Sequence, residues 1–157
     1  MSKPIQQYLS FELDENEYAI SILRIQEIRG YEKTKALPNA QKYIVGVINL
    51  RGSVIPIIDL RVRFGIEKKS YSATTVVIIV HIKFNGRYRK VGLIVDGVNE
   101  VYDVNDSDIQ ECTDIMQNID LKFIKGITAL DEKMVTIIDL DKVFDFKDIE
   151  QVMAPTQ

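Results

Sequence analysis

The feature that most constrains the fold of this chain is an internal repeat. Residues 43–64 align without a gap to residues 123–144, an offset of 80 in a chain of 157 residues. Eight of the 22 aligned positions are identical. The identical pairs are Ile44/Ile124, Gly46/Gly126, Leu50/Leu130, Ile57/Ile137, Ile58/Ile138, Asp59/Asp139, Leu60/Leu140 and Phe64/Phe144. A repeat spaced at half the chain length predicts two pseudo-equivalent lobes.

A fainter repeat supports the same division of the chain. It pairs residues 18–28 with residues 91–101, so that apolar positions coincide and Glu27 aligns with Glu100. We expect a domain over residues 6–147 with approximate halves 6–70 and 71–147, allowing for strand exchange between the lobes. Residues 148–157 read as a polar tail.

Short runs rich in β-branched residues dominate the chain, and this pattern favours strands over helices. Ten strands are predicted, at 8–13, 17–22, a segment after Ile28, 43–50, 54–59, 75–84, 90–95, 101–104, 123–129 and 134–139. Five strands per lobe would leave sheet edges open unless each sheet closes on itself. The predicted fold class is therefore all-β, mainly strand with short helices, built as two packed five-stranded β-barrels.

Local turn and capping signals punctuate these strands. Asn85-Gly86 predicts a tight hairpin, because both residues tolerate the positive φ angles of a type I′ turn. Arg51-Gly52 predicts a second hairpin. Asp59 and Asp139 are predicted to cap short helices, the first of them ending at Gly65. Residues 107–110 have capping-box spacing and predict one further short helix.

The composition of the chain argues against several classes of function. The formal net charge is −3, which disfavours a nucleic-acid or membrane-surface partner. The longest apolar run, residues 76–80, is far too short to span a bilayer. A single cysteine, Cys112, and the lack of a signal-peptide pattern favour a cytoplasmic location. One histidine, His81, cannot build a zinc site with one cysteine, and no nucleotide-binding motif occurs, so we expect no cofactor and no metal.

Three function classes then compete. The repeated Ile-Ile-Asp-Leu could place Asp59 and Asp139 together as an acid hydrolase dyad, although helix capping is the simpler interpretation. A small-barrel nucleic-acid binder is disfavoured by charge. The third class is a binding module, whose clues are a mixed apolar and charged connector at 21–29 and an arginine, Arg51, at a hairpin tip. The connector pattern alone fits either core packing or a docking groove.

A set of motifs in fixed order resembles the CheW family of bacterial chemotaxis coupling proteins. The motifs are YAI at 18–20, IQEIRGY at 25–31, LPNA at 37–40, GVINLRG at 46–52, PIIDLR at 56–61, VDGV at 95–98 and LDE at 130–132. The resemblance implies two SH3-like barrels and a non-catalytic adaptor that joins methyl-accepting chemoreceptors to the histidine kinase CheA. It also implies a monomer in isolation that is recruited to membrane-associated receptor arrays without inserting into the membrane. A detached regulatory module of a kinase, or a coupling protein of a non-chemotactic array, are its closest alternatives.

The resemblance also implies roles for particular residues. The helical hairpin tip of the receptor is expected between the barrels, against Ile25, Glu27, Ile28, Val98 and Val101. Arg51 matches the family's Asn-Leu-Arg-Gly arginine, which affects receptor coupling. The regulatory domain of the kinase is expected at Thr34, Lys35 and Leu37. A second kinase contact maps to Asp114 and Ile115, where relatives often carry an aromatic residue instead.

Overall fold

The computed structural model describes residues 5–37, 40–67, 70–112, 119–145 and 147–148. Ten strands, two short α-helices and three 3₁₀ turns lie within these ranges. The strands are β1 Ile5–Leu13, β2 Asn16–Ser21, β3 Ile25–Gly30, β4 Ile44–Leu50, β5 Ser53–Asp59, β6 Val76–Phe84, β7 Arg87–Val95, β8 Gly97–Asn105, β9 Ile124–Leu130 and β10 Lys133–Ile138. The helices are α1 Leu60–Arg63 and α2 Leu140–Val143, and the 3₁₀ turns are Ile22–Arg24, Asp106–Asp108 and Leu121–Phe123. The predicted all-β class is confirmed.

The strands form two five-stranded sheets. Sheet 1 has the order β8-β1-β2-β10-β9 and sheet 2 has the order β3-β6-β7-β5-β4. Sheet 1 therefore combines strands from both ends of the chain, whereas sheet 2 uses the five strands between them. Each sheet contains one parallel pair, β2 with β10 and β5 with β7. All other pairs are antiparallel.

The repeat is visible in the strand registers. In sheet 2, Ile44 faces Ile58, and the pairing then shifts so that Gly46 faces Ile57. In sheet 1 the same shift occurs 80 residues later, between the pairs Ile124–Ile138 and Gly126–Ile137. Thus the two lobes share a hairpin, a β-bulge and a following helix. A bulge kept at the same point of both copies is a built feature of the fold.

Both sheets close into barrels through one extra bridge each. Lys35, in the segment after β3, exchanges two backbone hydrogen bonds with Val47 of β4, at 3.1 and 2.9 Å. Gln110, after β8, does the same with Ile127 of β9, at 2.7 and 2.8 Å. The close approach explains why a glycine occurs in both copies, since a Cβ at Gly46 would lie 2.3 Å from the Lys35 carbonyl oxygen.

The Gln110–Ile127 bridge explains why the short helix predicted near residues 107–110 lies slightly earlier in the chain and lacks the predicted cap. We expected a capping box at 107–110, but the 3₁₀ turn spans Asp106–Asp108, and Asn105 at its start makes no side-chain capping bond. Gln110 is drawn instead into extended pairing with Ile127. The long-range pairing that closes the barrel thus overrides the local capping signal. Strand β3 spans Ile25–Gly30 and so begins before the expected segment, which followed Ile28.

The core has three parts. One buried cluster fills the interior of each barrel, and a larger third cluster lies between the two sheets. Strand β6 contributes to two of them, because Val77 and Ile79 face the barrel interior whereas Ile78 and Val80 face the other sheet. A strand buried on both faces needs a continuous apolar run, and this accounts for the five apolar residues at 76–80.

The hairpin turns confirm the predicted positive φ angles, and several of them hold residues other than glycine in the left-handed region. Asn85 and Gly86 have φ values of 49° and 74°, and Arg51 and Gly52 have 52° and 88°. In the second copy of the repeat, the residue aligned with Gly52 is Glu132, which adopts a φ of 66°. A side chain in the left-handed region costs roughly 1 kcal/mol relative to glycine.

Because of this strain, we expect a change from glutamate to glycine to stabilise the second turn and a change from glycine to glutamate to destabilise the first. Glu132→Gly is expected to raise the free energy of unfolding by about 0.5–1 kcal/mol, equal to about 2 °C in melting temperature. Gly52→Glu is expected to lower it by a similar amount. Thermal melts of the two variants check this. A Glu132→Gly variant that melts below the wild type would show that turn strain does not limit stability.

Candidate binding surfaces

The central core between the sheets reaches the surface along two edge strands. Ile25 of β3 and Val98 of β8 are half-buried and pack against this core. Farther along the same strands, Ile28 is 43% exposed and Val101 is 49% exposed. Each lies opposite a core residue, Ile28 facing Ile78 and Val101 facing Leu9. We call these four residues, Ile25, Ile28, Val98 and Val101, the apolar seam.

The apolar seam has its own internal symmetry. Applying the 73-residue offset of the fainter repeat pairs Ile25 with Val98 and Ile28 with Val101. A register shift occurs beside both pairs, between Ile25 and Glu27 in β3 and opposite Leu9 and Phe11 in the β1–β8 pairing. Bulges of this kind discourage another strand from adding to the edge. The seam is therefore suited to side-chain contact with a partner rather than to strand addition.

The charged residues beside the two halves of the apolar seam differ, although the apolar residues match. Glu27 forms an ion pair with Arg51 at 3.1 Å, and its other oxygen lies 3.9 Å from Arg29. The symmetry-related Glu100 instead accepts a hydrogen bond from the Tyr102 hydroxyl at 2.6 Å. That bond is the main reason that the pKa of Tyr102 is raised. The residue 80 positions after Arg51 is Asp131, so a cation flanks one half of the seam and has no counterpart in the other.

One of the residues predicted to contact the kinase, Lys35, lines an open recess in sheet 2. The volume of this recess is about 510 Å³. Thr34 and Leu37 are half-buried on either side of Lys35 in the same segment. The other lining residues are Glu32, Lys33, Val47, Ile48, Asn49 and Val54. Asp114 and Ile115, the predicted second kinase contact, lie outside the described residues.

Sequence reasoning missed the β4 and β5 side of this recess. Val54 is 51% exposed, although it is the second residue of a strand whose last five residues are buried. Lys35 and Val47, which both line the recess, are joined by a bridge that local patterns do not reveal.

The two aspartates of the repeat are helix caps and do not form a dyad. The side chain of Asp59 accepts a hydrogen bond from the backbone N–H of Arg61 at 3.0 Å, and Asp139 does the same for Asp141 at 3.2 Å. Asp59 also accepts bonds from the Arg61 guanidinium and, at 3.1 Å, from the Tyr71 hydroxyl. Both of its oxygens are thus occupied. The hydrolase hypothesis is rejected on this geometry.

Arg61 is the buried charge that the sequence did not reveal. Its side chain is only 1% exposed, and it joins Asp59 and Asp96, each at 3.2 Å. Burial opposes its charge, but the bonds to Asp59 and the field of Asp96 keep the pKa of Arg61 above its ordinary value. Asp96 also accepts a bond from the backbone N–H of Asp14 at 2.8 Å, so this network joins sheet 2 to the first hairpin of sheet 1.

Two other kinds of site are absent from the part of the chain that the structure describes. No group of three or more His, Cys, Asp or Glu side chains there is arranged to hold a metal ion. No described helix has the length and hydropathy needed to cross a membrane.

Two closed barrels that expose an apolar seam and a charged recess define a binding scaffold. The chain belongs to the CheW family: the family model described as "CheW-like domain" matches residues 7–148. It is 37% identical to the chemotaxis protein CheW of Klebsiella aerogenes over 147 residues, covering 94% of this chain and 86% of that protein. It is 34% identical to the Bacillus subtilis chemotaxis protein CheW, covering 97% and 94%.

A solved structure supports the same assignment. The crystal structure of the scaffolding protein TtCheW from Thermoanaerobacter tengcongensis aligns with a TM-score of 0.82 and 36% identity. The alignment covers 92% of this chain and 91% of that one. The chain is therefore a chemotaxis adaptor of the scaffold type and not an enzyme.

Proposed function

We propose that this chain couples methyl-accepting chemoreceptors to the histidine kinase CheA within receptor arrays. The observation that carries the proposal is that two exposed surfaces of different chemistry lie on one small protein and share no residue. The apolar seam lies between the sheets, whereas the recess lies within sheet 2. An adaptor needs two such surfaces, because it must hold both partners at once.

The seam is the proposed site for the helical hairpin tip of the receptor. Its exposed members, Ile28 and Val101, offer apolar area continuous with the core, which suits the apolar face of a helix. Arg51 stands beside them with 72% of its side chain exposed, so its guanidinium retains free donors while it pairs with Glu27. Arginine at the rim of an apolar patch is typical of binding surfaces that read carboxylates.

The recess is the proposed site for the regulatory domain of the kinase. Lys33 and Lys35 supply positive charge, while Val54 and Val47 supply apolar contact. The mixture of apolar centre and charged surround resembles the composition of transient protein interfaces. Asp114 and Ile115 remain the proposed second kinase contact on the basis of the family resemblance.

A chain of ion pairs runs between the two surfaces. Arg51 pairs with Glu27 beside the seam, Glu27 with Arg29, and Arg29 with Glu32 at 3.3 Å, a residue that lines the recess. Such partly exposed pairs each contribute about 0–1 kcal/mol. This is too little to switch a kinase by itself. We therefore attribute coupling to the positioning of the two partners, with the ion pairs as a minor connection.

Reconstitution tests the proposal. Purified kinase and a receptor cytoplasmic fragment are mixed with and without this protein, and kinase autophosphorylation is followed over time. We expect the receptor fragment to change the rate only when the adaptor is present. Co-sedimentation with receptor-containing membranes should likewise need the receptor. Full receptor control of the kinase without the adaptor, or none with it, contradicts the proposal.

A further inference from the structure

The end of the β6–β7 hairpin is a local concentration of positive charge in an acidic protein. No aspartate or glutamate occurs from residue 68 through residue 95, whereas the chain as a whole has a net charge of −3. We call residues 83–90 the basic hairpin. In the described part of the chain its four cations form no side-chain ion pair. They are Lys83, Arg87, Arg89 and Lys90. The β6–β7 register places Arg87 and Arg89 on the face of the hairpin that carries Phe84 and Ile82, and Lys83 and Lys90 on the opposite face with Tyr88.

This hairpin is held firmly in place. Strand β3 ends its pairing at Ile25, opposite Val80, which leaves the outer edge of β6 unpaired beyond that point. Arg24 donates to the His81 carbonyl oxygen at 2.8 Å, and Asp141 accepts from the Lys83 backbone N–H at 2.8 Å. These two side chains also form an ion pair with each other. The polar groups of the free edge are thereby satisfied, so the cations stand on a rigid support.

The electrostatics of Asp141 agree with this geometry. Partial burial opposes its ionisation, but the bonds from Arg24 and Lys83 keep the pKa of Asp141 below its ordinary value. On the outer face of the hairpin, the Arg24 guanidinium lies 5.5 Å from the centre of the Tyr88 ring. Tyr88 is 59% exposed and pairs with Lys83, which adds an aromatic surface beside Lys83 and Lys90.

The basic hairpin lies next to the Ile25 end of the apolar seam. Arg24, which covers Tyr88, directly precedes Ile25 of the seam. From Val80, opposite Ile25, to Lys83 is three strand residues, or about 10 Å. The same length is about two turns of an α-helix. A helix seated in the seam and continuing past Ile25 would therefore pass the basic hairpin about two turns beyond its apolar contact.

We propose that the basic hairpin binds acidic side chains on the receptor helix that occupies the apolar seam, about two turns from its apolar anchor. The inference rests on the proposed function and adds the chemistry of the partner. Continuity with the seam favours a receptor helix over an anionic membrane or a nucleic acid. Four cations on a chain of negative net charge make a small local field, which suits a few carboxylates better than a phosphate backbone.

Charge reversal tests the proposal by calorimetric titration with a purified receptor cytoplasmic fragment. The test variant is Arg87→Glu with Arg89→Glu, two cations on the face that continues from Ile25 through Val80 and Ile82, and outside the Arg24–Asp141 bonding. The matched control is Lys42→Glu with Lys147→Glu, which makes the same change in net charge at exposed sites elsewhere. We expect the test variant to bind about tenfold more weakly at 50 mM salt and less than about threefold more weakly at 300 mM salt, because exposed charges are screened. The control should stay within about twofold of wild type.

A second arm locates the acidic partner. Receptor fragments in which the carboxylates two turns from the apolar anchor are changed to Gln should bind wild type more weakly and the test variant unchanged. If the test variant binds like wild type at both salt concentrations while Ile28→Asp does not bind, the inference fails and the proposed function stands. If wild type does not bind the fragment, the proposed function itself fails. Charge-dependent binding of vesicles containing anionic lipid, or of duplex DNA, with receptor affinity unchanged also overturns the inference.

Discussion

Replacing Ile28 by aspartate is expected to abolish most receptor binding while kinase binding and folding are preserved. Ile28 is 43% exposed on an edge strand, so a carboxylate there remains hydrated in the free protein. In the complex it would have to be desolvated against an apolar helix face. Loss of the apolar contact together with that desolvation should lower affinity by about tenfold to a hundredfold. Binding of the kinase regulatory domain should stay within about twofold, because no seam residue lines the recess.

Val54→Asp provides the matched control for this experiment. Val54 is 51% exposed and lines the recess, so the same kind of change is made on the other surface. We expect it to weaken kinase binding and to spare receptor binding. Ile25 and Val98 are poorer choices, because both pack against the core and a carboxylate there would destabilise the fold. If Ile28→Asp and Val54→Asp each weaken both partners while keeping the wild-type melting temperature, the assignment of two separate surfaces is wrong.

Removing the Arg61 side chain is expected to be among the most destabilising single changes in the protein. Arg61 is 1% exposed and neutralises Asp59, which is fully buried, together with Asp96. Arg61→Ala would leave a buried carboxylate without its counter-charge, which costs about 3–5 kcal/mol. In a chain of this size such a loss lowers the melting temperature by about 10 °C or more. Urea unfolding monitored by circular dichroism measures the change.

Arg29→Ala is the control for that measurement. Arg29 has the same side chain, but its ion pairs with Glu27 and Glu32 are partly exposed. Its loss should cost no more than about 1 kcal/mol. Equal costs for the two variants would mean that the buried network does not hold the sheets together.

The elements predicted well from the sequence are those governed by neighbouring residues. The Asn85-Gly86 hairpin and the caps at Asp59 and Asp139 depend on backbone angles and bonds within two or three positions, and all three were confirmed. The internal repeat also predicted the matched hairpins correctly. Gly46 and Gly126 occur in both copies because a neighbouring backbone segment leaves no room for a side chain at either position.

The elements missed are those that depend on barrel closure. Gln110 was expected in a short helix but is paired with Ile127. Lys35, which lines the recess, is paired with Val47. The burial of Arg61 was not predicted, because nothing local shows that it turns back onto Asp59 and reaches Asp96. The net charge of −3 concealed the basic hairpin, since composition averages over surfaces that the fold separates.

The claim that receptor and kinase occupy separate surfaces at the same time is tested most directly by NMR of isoleucine methyl groups. Ile28 reports on the seam and Ile48 on the recess. Our account predicts that the receptor fragment shifts the Ile28 methyl signal, that the kinase regulatory domain shifts the Ile48 signal, and that both shifts persist when both partners are present. A receptor fragment that reverses the Ile48 shift, or a kinase domain that shifts Ile28, would contradict it.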